Sequence, residues 1–238
     1  MPKFLILSDI HSESHPSITS SLIESIPKTG YDAVILAGDV GNSLTTLPFL
    51  KLFCSSVEVP VFFVAGNHEH YHSSIESFRV LMSQHEIENL IYLDCGIHEF
   101  GGLKIAGAPL WFSETATSVF YRSALGDFKW IQNFRENVYS ENEKHRNFLV
   151  EAQADIIVTH HLPTWDVINP RYRTNPYNCF FVGGDPQLVE TANAKLWVFG
   201  HTHCAIDTML GTTRAVANPR GYYGENSTGF NPHTIIEL

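Results

Sequence analysis

No apolar run in this chain approaches the roughly 20 residues that a membrane-crossing helix needs. No membrane association is therefore expected. Lysine and arginine form no block. They number 15 against 25 aspartates and glutamates, a formal charge of -10. Proteins that grip a nucleic-acid backbone carry a basic stripe, so duplex DNA or RNA is a poor expected partner. Bound divalent ions would offset part of the negative charge, which leaves small phosphate compounds open. Cysteine is scarce. Cys54, Cys95, Cys179 and Cys204 include no CxxC spacing, and a reduced, cytoplasmic protein is the simpler expectation. The run Lys3 to Leu7 is too short for the apolar part of a signal peptide, and Asp9 follows at once. There is no internal repeat, low-complexity tract or clear linker. With 238 residues, 44% of them hydrophobic, the chain is expected to form one domain over 1–238 with a substantial core.

What is present begins with short apolar runs. Phe4 to Leu7, Tyr31 to Ala37 and Val59 to Ala65 read as strands covered on both faces. Helices are expected between them: one opened by Pro16 with Ile18, Leu22, Ile23 and Ile26 on its apolar face, one over Leu47 to Phe53, and one marked by Ile75, Phe78, Leu81 and Met82. Strand and helix in alternation predict a layered α/β fold with right-handed crossovers. Leu90 to Leu93 and Leu103 to Ala106 read as short strands. Asn142 to Ala152 read as a helix, Ala154 to Thr159 as a strand, and Pro163 to Pro186 as a long loop. A short helix is expected over Leu188 to Ala192, and strands over Leu196 to Phe199, Ala205 to Met209, Thr213 to Ala217 and Thr234 to Leu238. The last three are expected to close a second sheet.

Residues 111–147 differ in texture. Trp111, Phe112, Phe120, Tyr121, Phe128, Trp130, Phe134 and Tyr139 are interspersed with Arg122, Lys129, Arg135 and Arg146. Helices lying over one sheet edge are expected, either as a lid that shapes a substrate site or as a packed side layer. Trp111, Phe112, Phe120 and Tyr121 also offer a contact surface, consistent with a monomer or a weak homodimer.

The chemistry collects where the apolar runs stop. Val198 to Cys204 places His201 and His203 just after one run. Four others end in Ser8-Asp9-Ile10-His11, Ala37-Gly38-Asp39, Ala65-Gly66-Asn67-His68-Glu69 and Thr159-His160-His161. Parallel strands end at a common edge, so these groups converge. In an extended segment, residues two apart face the same way, so Asp9 and His11 are expected to reach one ion, and His201 with His203 likewise. One ion needs only about four protein ligands, so the seven candidates Asp9, His11, Asp39, Asn67, His160, His201 and His203 point to two divalent ions sharing a carboxylate. A lone aspartate after a strand is readily explained as a helix cap, and a lone histidine as a satisfied polar group. Five strand ends carrying these residue types are not so explained. Mn²⁺ suits the mixed oxygen and nitrogen donors best, with Fe or Zn as alternatives.

The ordered set Asp9-x-His11, Gly38-Asp39, Gly66-Asn67-His68-Glu69, His160 and Gly200-His201-x-His203 resembles the calcineurin-like metallophosphoesterase superfamily. The resemblance runs from residue 3 to about residue 224. It implies a four-layer α-β-β-α sandwich of two mixed β-sheets with two metals at the strand ends. One metal would be held by Asp9, His11, Asp39 and His203. The other would be held by Asp39, Asn67, His160 and His201. His68 would contact the phosphate or protonate the leaving oxygen. His161 is expected outside the ligand set. One departure is that Gly38-Asp39-Val40-Gly41-Asn42 lacks the second aspartate of Gly-Asp-x-x-Asp, which changes the support of the site more than the metals. The C-terminal Asn218-Pro219-Arg220-Gly221-Tyr222 resembles one bacterial-type group of the superfamily, and so do Arg171-Tyr172, Asn178 and Phe180. Arg173 and Arg220 are candidate phosphate contacts; a surface or loop-bracing role is the plainer reading of each.

The implied activity is hydrolysis of a phosphate ester by hydroxide held on the metals, without a covalent enzyme intermediate. Small phosphodiesters are favoured, with phosphomonoesters or phosphorylated protein segments as the alternative. A nuclease and a catalytically silent metal-binding module are the further alternatives.

Overall fold

The computed structural model describes residues 1–238. In chain order the strands and α-helices are β1 (Lys3–Leu7), α1 (Ile18–Ser25), β2 (Ala33–Ala37), α2 (Thr46–Ser56), β3 (Val61–Val64), α3 (Ile75–Ser83), β4 (Leu90–Tyr92), β5 (Gly96–Phe100), β6 (Leu103–Gly107), α4 (Ala116–Tyr121), α5 (Asp127–Trp130), α6 (Phe134–Ala152), β7 (Ile156–Val158), α7 (Pro186–Ala192), β8 (Leu196–Phe199), β9 (Ile206–Leu210), β10 (Thr213–Ala217) and β11 (Ile235–Glu237). They form two sheets, ordered β11-β1-β2-β3-β4 and β5-β6-β7-β8-β10-β9. Within each sheet the inner pairings are parallel, and β11, β5 and β9 join antiparallel at edges.

Successive strand residues point to opposite faces, and here both faces are apolar. Phe4, Ile6, Ile35, Phe62 and Val64 of the first sheet meet Ile105, Ile156, Val158, Val198 and Val216 of the second. The alternate residues Leu5, Leu7, Val34, Leu36 and Phe63 pack outward on the helix side chains Leu22, Phe49, Phe53 and Phe78. Ile157, Trp197, Phe199 and Ala215 do the same with Leu149, Leu188 and Val189. The result is the four-layer α-β-β-α sandwich of two mixed sheets. No helix is long and apolar enough to cross a membrane.

Four local expectations are corrected. β5 is a strand with no apolar run to reveal it, because its three central residues face solvent at the sheet edge. β11 returns to the first sheet beside β1 instead of closing the second. Helix α6 begins at Phe134, eight residues before the expected start at Asn142. Its buried stripe is Phe134, Val138, Asn142, His145, Leu149 and Ala152, spacing that fits one helical face, two of them polar. The stretch from 163 to 186 contains three 3₁₀ turns, Trp165–Val167, Pro170–Tyr172 and Pro176–Phe180. The side chains of Thr164, Asn169 and Asn175 each accept a backbone N–H at the start of one turn, which is why polar, proline-rich sequence is ordered here.

The aromatic segment divides. Trp111, Phe112, Phe134 and Val138 pack with Cys179 and Phe180 into a separate apolar cluster beside the sandwich. Phe120 is 75% exposed. Leu125, between α4 and α5, and Asp127, the first residue of α5, reach the cleft described next. A lid moving as one body would have to break the buried cluster.

Candidate metal centre and cleft

Strand ends assemble the site. Asp9 and His11 follow β1, Asp39 follows β2, Asn67 and His68 follow β3, His160 follows β7, and His201 and His203 follow β8. The turns are tight. Gly38 has φ +85°, and a Cβ there would meet the His160 ring at 2.3 Å. A Cβ on Gly66 would meet Asp39 Oδ1 at 2.2 Å. Five of the seven candidate ligands are themselves left-handed: Asp9 (φ 51°), His11 (51°), Asp39 (53°), His201 (65°) and His203 (46°). Each such residue costs on the order of 1 kcal/mol, and their concentration at one place is the mark of a functional site.

That backbone corrects the extended geometry expected for Asp9-x-His11 and His201-x-His203. The Asp9 and His11 N–H groups leave the strand ladder and donate to Gly38 O and Asp39 O. The result is a pair of turns, and the two C-terminal histidines face different neighbours. His203 Nε2 lies 3.0 Å from His11 Nε2, whereas His201 Nδ1 lies 3.1 Å from His160 Nε2.

Two donor groups result, Asp9, His11 and His203, and Asp39, His160 and His201, and a third, His11, Asp39 and His68, overlaps both; the ligand atoms of each lie within 4.8 Å of one another. Asp39 stands between them, its Oδ2 3.4 Å from His160 Nε2 and 3.9 Å from His11 Nε2. Asn67 Oδ1 is 3.1 Å from His160 Nε2. These residues fit a pair of cations on two observations. First, the outer Nδ1 atoms of His11, His203 and His160 donate to Glu13 Oε1 (3.0 Å), Glu225 Oε2 (2.8 Å) and Ala37 O (2.9 Å). Each Nε2 therefore faces the cluster, and ring nitrogens about 3 Å apart match the spacing of ligands about 2.1 Å from one ion at a right angle. Second, Asp9 and Asp39 are buried with no lysine or arginine paired to either. Burial opposes ionisation of Asp39, but the imidazoles of His160 and His68 hold its carboxyl well below the usual range. Two buried carboxylates need positive charge from elsewhere.

Sequence reasoning gave no role to several residues that hold these ligands. Glu69 was visible in the Asn67-His68-Glu69 stretch. Its carboxylate accepts four backbone N–H groups, from Asp39 (3.0 Å), Val40 (2.8 Å), Gly41 (3.2 Å) and Gly66 (2.5 Å). Burial and the Asp39 charge push its pKa up, while the four donors favour the ionised form. Glu69 thereby braces the loop in which the second aspartate is missing. Asp127 accepts from Asn67 Nδ2 (3.0 Å) and Tyr71 OH (2.7 Å), which aims the Asn67 carbonyl at the cluster. Glu13 spans His11 and His68, and despite its burial these two hydrogen bonds draw its carboxyl down to about 2. Glu225 lies 22 residues from its partner His203, so no local spacing announces it. Substituting alanine for Glu225 should weaken metal binding about 10- to 100-fold, the usual effect of losing a carboxylate behind a ligand histidine. Competition with a chelator would measure it, and unchanged affinity would show that His203 is oriented by other contacts.

His68 sits at the mouth of the cluster. Its backbone N–H donates to Asp39 Oδ1 (2.9 Å), its Nδ1 to Glu13 (2.8 Å), and its Nε2 lies 3.2 Å from the Tyr222 hydroxyl. Its ring stacks on Tyr71 at 4.2 Å. Burial disfavours its charged form, but the Asp39 carboxylate and Glu13 outweigh this and hold it up at about 9. Tyr222 also stacks on His11 at 4.1 Å. His161 is buried with its Nδ1 directed at Pro109 O (3.3 Å), and its ring lies 4.5 Å from that of His201.

The cluster opens into a cleft of about 330 Å³. Leu125, Leu162, Ile168, Tyr172, Phe181 and Tyr222 supply apolar wall, and Asn169, Asn175 and Asn178 supply amides. No lysine or arginine lines it. Arg220 turns aside to Ser21 Oγ (3.3 Å), and Arg173 is exposed outside the lining.

A family model described as calcineurin-like phosphoesterase matches residues 2–205. The chain is 25% identical to uncharacterized protein L509 of Acanthamoeba polyphaga mimivirus, over 85% of this chain and 82% of that protein. Its fold is similar to that of phosphopantetheinyl hydrolase from Mycobacterium tuberculosis, with a TM-score of 0.72 at 17% identity over 93% of this chain and 90% of the other. A dimetal phosphatase from Danio rerio superposes with a TM-score of 0.50 at 12% identity, over 98% and 91% of the two chains. At these identities the solved structures speak to the fold alone.

Proposed function

The chain belongs to the calcineurin-like phosphoesterase family, and on that premise we propose that it is a metal-dependent phosphodiesterase for small substrates. Asp9, His11, Asp39 and His203 would hold one divalent ion and Asp39, Asn67, His160 and His201 the other, with Mn²⁺ the best match to these donors and Fe or Zn the alternatives. Such a pair, when bound, supplies Lewis acidity toward the phosphoryl oxygens and an acidified water.

The chain's own groups do the rest. Asp39 is positioned to serve both ions. Asp127, Glu13, Glu225 and Glu69 keep the ligands in place. His68 keeps one ring nitrogen on Glu13 and turns Nε2 toward the cleft side of Tyr222. A proton there can pass to the leaving oxygen as the ester bond breaks.

The observation that carries the diester preference is the lining of the cleft. A monoester brings nearly two negative charges near neutral pH and is usually met by arginine. This wall offers apolar side chains and amides instead. It suits a singly charged diester whose second substituent is uncharged. Four unpaired cysteines are consistent with a reducing, cytoplasmic setting. Paired assays with bis(4-nitrophenyl) phosphate and 4-nitrophenyl phosphate would test the preference. A higher kcat/KM for the diester is expected, and a strong monoester preference would reverse the reading.

A further inference from the structure

The chain passes from the first sheet to the second through Leu93-Asp94-Cys95, between β4 and β5. Opposite this crossover lies His145, one of the two polar residues in the buried stripe of α6. It is fully buried, and neither ring nitrogen has a hydrogen-bond partner. Glu141, one turn earlier, places Oε2 3.2 Å from His145 Nε2 but out of line for a hydrogen bond. A buried imidazole whose nearest polar contact is one misaligned carboxylate is costly and needs a reason.

Its neighbours supply one. A ring nitrogen of His145, the Cys95 sulfur and an Asp94 oxygen lie within 4.8 Å of one another. Arg79, from α3, bonds Asp94 through Nε (2.5 Å) and Nη2 (3.3 Å), and Glu141 through Nη1 (2.8 Å) and Nη2 (2.5 Å). Lys144 Nζ lies 3.7 Å from Glu141 Oε2, so Arg79 and Lys144 balance the two carboxylates. A carboxylate oxygen accepting from arginine keeps a second lone pair, so Arg79 orients these groups without exhausting them. Thiolate, imidazole and carboxylate together select zinc over manganese or magnesium. Asp94 and Cys95 are only partly buried, so an ion can reach them from solvent.

We propose that Asp94, Cys95 and His145 form a second metal site that takes one Zn²⁺, with water completing its coordination, and pins the sheet-to-sheet crossover to α6. None of the three lines the cleft, so the role is structural. Burial holds the Cys95 thiol up at about 11. On binding, its proton passes to solvent and Sγ ligates as the thiolate.

Cobalt(II) is the probe, because thiolate ligation gives it an intense near-ultraviolet charge-transfer band that oxygen and nitrogen donors do not. Protein already loaded with Mn²⁺ is titrated with Co²⁺ alone. The wild type should develop the band to an amplitude of one thiolate-bound Co²⁺ per chain, Cys95→Ser should lack it, and Zn²⁺ should raise the thermal midpoint of the wild type by more than that of the variant. Phosphoester turnover should be the same in both. Absence of the band in the wild type, or its persistence in Cys95→Ser through another cysteine such as Cys204, overturns the proposal. Should Cys95→Ser fold poorly, His145→Gln in the same titration decides: an undiminished band and affinity there overturn it, and loss of both upholds it.

Discussion

Replacing Asp39 with asparagine should remove at least one metal ion per chain and slow hydrolysis of every ester by more than about 100-fold, beyond the reach of an outer-sphere change. The substitution keeps the size of the side chain. Asparagine also tolerates the left-handed backbone found at this position (φ 53°), so the fold should survive. What is lost is a buried negative charge that stands 3.4 Å from His160 Nε2 and 3.9 Å from His11 Nε2. Metal analysis and circular dichroism on the same sample would separate loss of metal from loss of structure. Two retained metals with normal turnover would show that Asp39 is not shared between ions.

The second large effect separates proton transfer from metal binding. His68→Ala removes a side chain that is none of the seven proposed ligands, so both metals should remain. Turnover of alkyl esters should fall about 10²- to 10⁴-fold, the usual contribution of general acid catalysis. Nitrophenyl esters, whose leaving group departs readily as the anion, should slow much less. Equal slowing of both ester types with full metal content would instead place His68 on the phosphoryl oxygens. Loss of a metal would withdraw it from either role.

The sequence made some parts of this structure legible and hid others for physical reasons. β1, β2, β3 and β8 are covered on both faces, so each reads as an unbroken apolar run. The seven strand-end residues stand out because one pattern recurs five times. β5 was hidden because an exposed edge strand needs no apolar face. The start of α6 was hidden because Phe134 and Tyr139 merge with the aromatic segment before it. The pairing of β11 with β1 links residues at opposite ends of the chain, and no local spacing encodes it. The supporting groups fail in the same way. Asp127 meets Asn67 across 60 residues, and Glu13 meets His68 across 55. Only folding brings such partners within hydrogen-bond distance. The left-handed turns at Asp9, His11, His201 and His203 escaped because alternation suggested extended chain, whereas hydrogen bonds from the neighbouring strand end enforce turns.

The most direct test of a two-metal phosphoesterase is to count metal and turnover together. Metal-free protein is titrated with Mn²⁺, bound ions per chain are measured, and hydrolysis of bis(4-nitrophenyl) phosphate and 4-nitrophenyl phosphate is followed at each point. Hydrolysis should reach its plateau as the second equivalent binds and should disappear on chelation. Two bound equivalents with hydrolysis of neither ester, or undiminished hydrolysis by the metal-free protein, would contradict it.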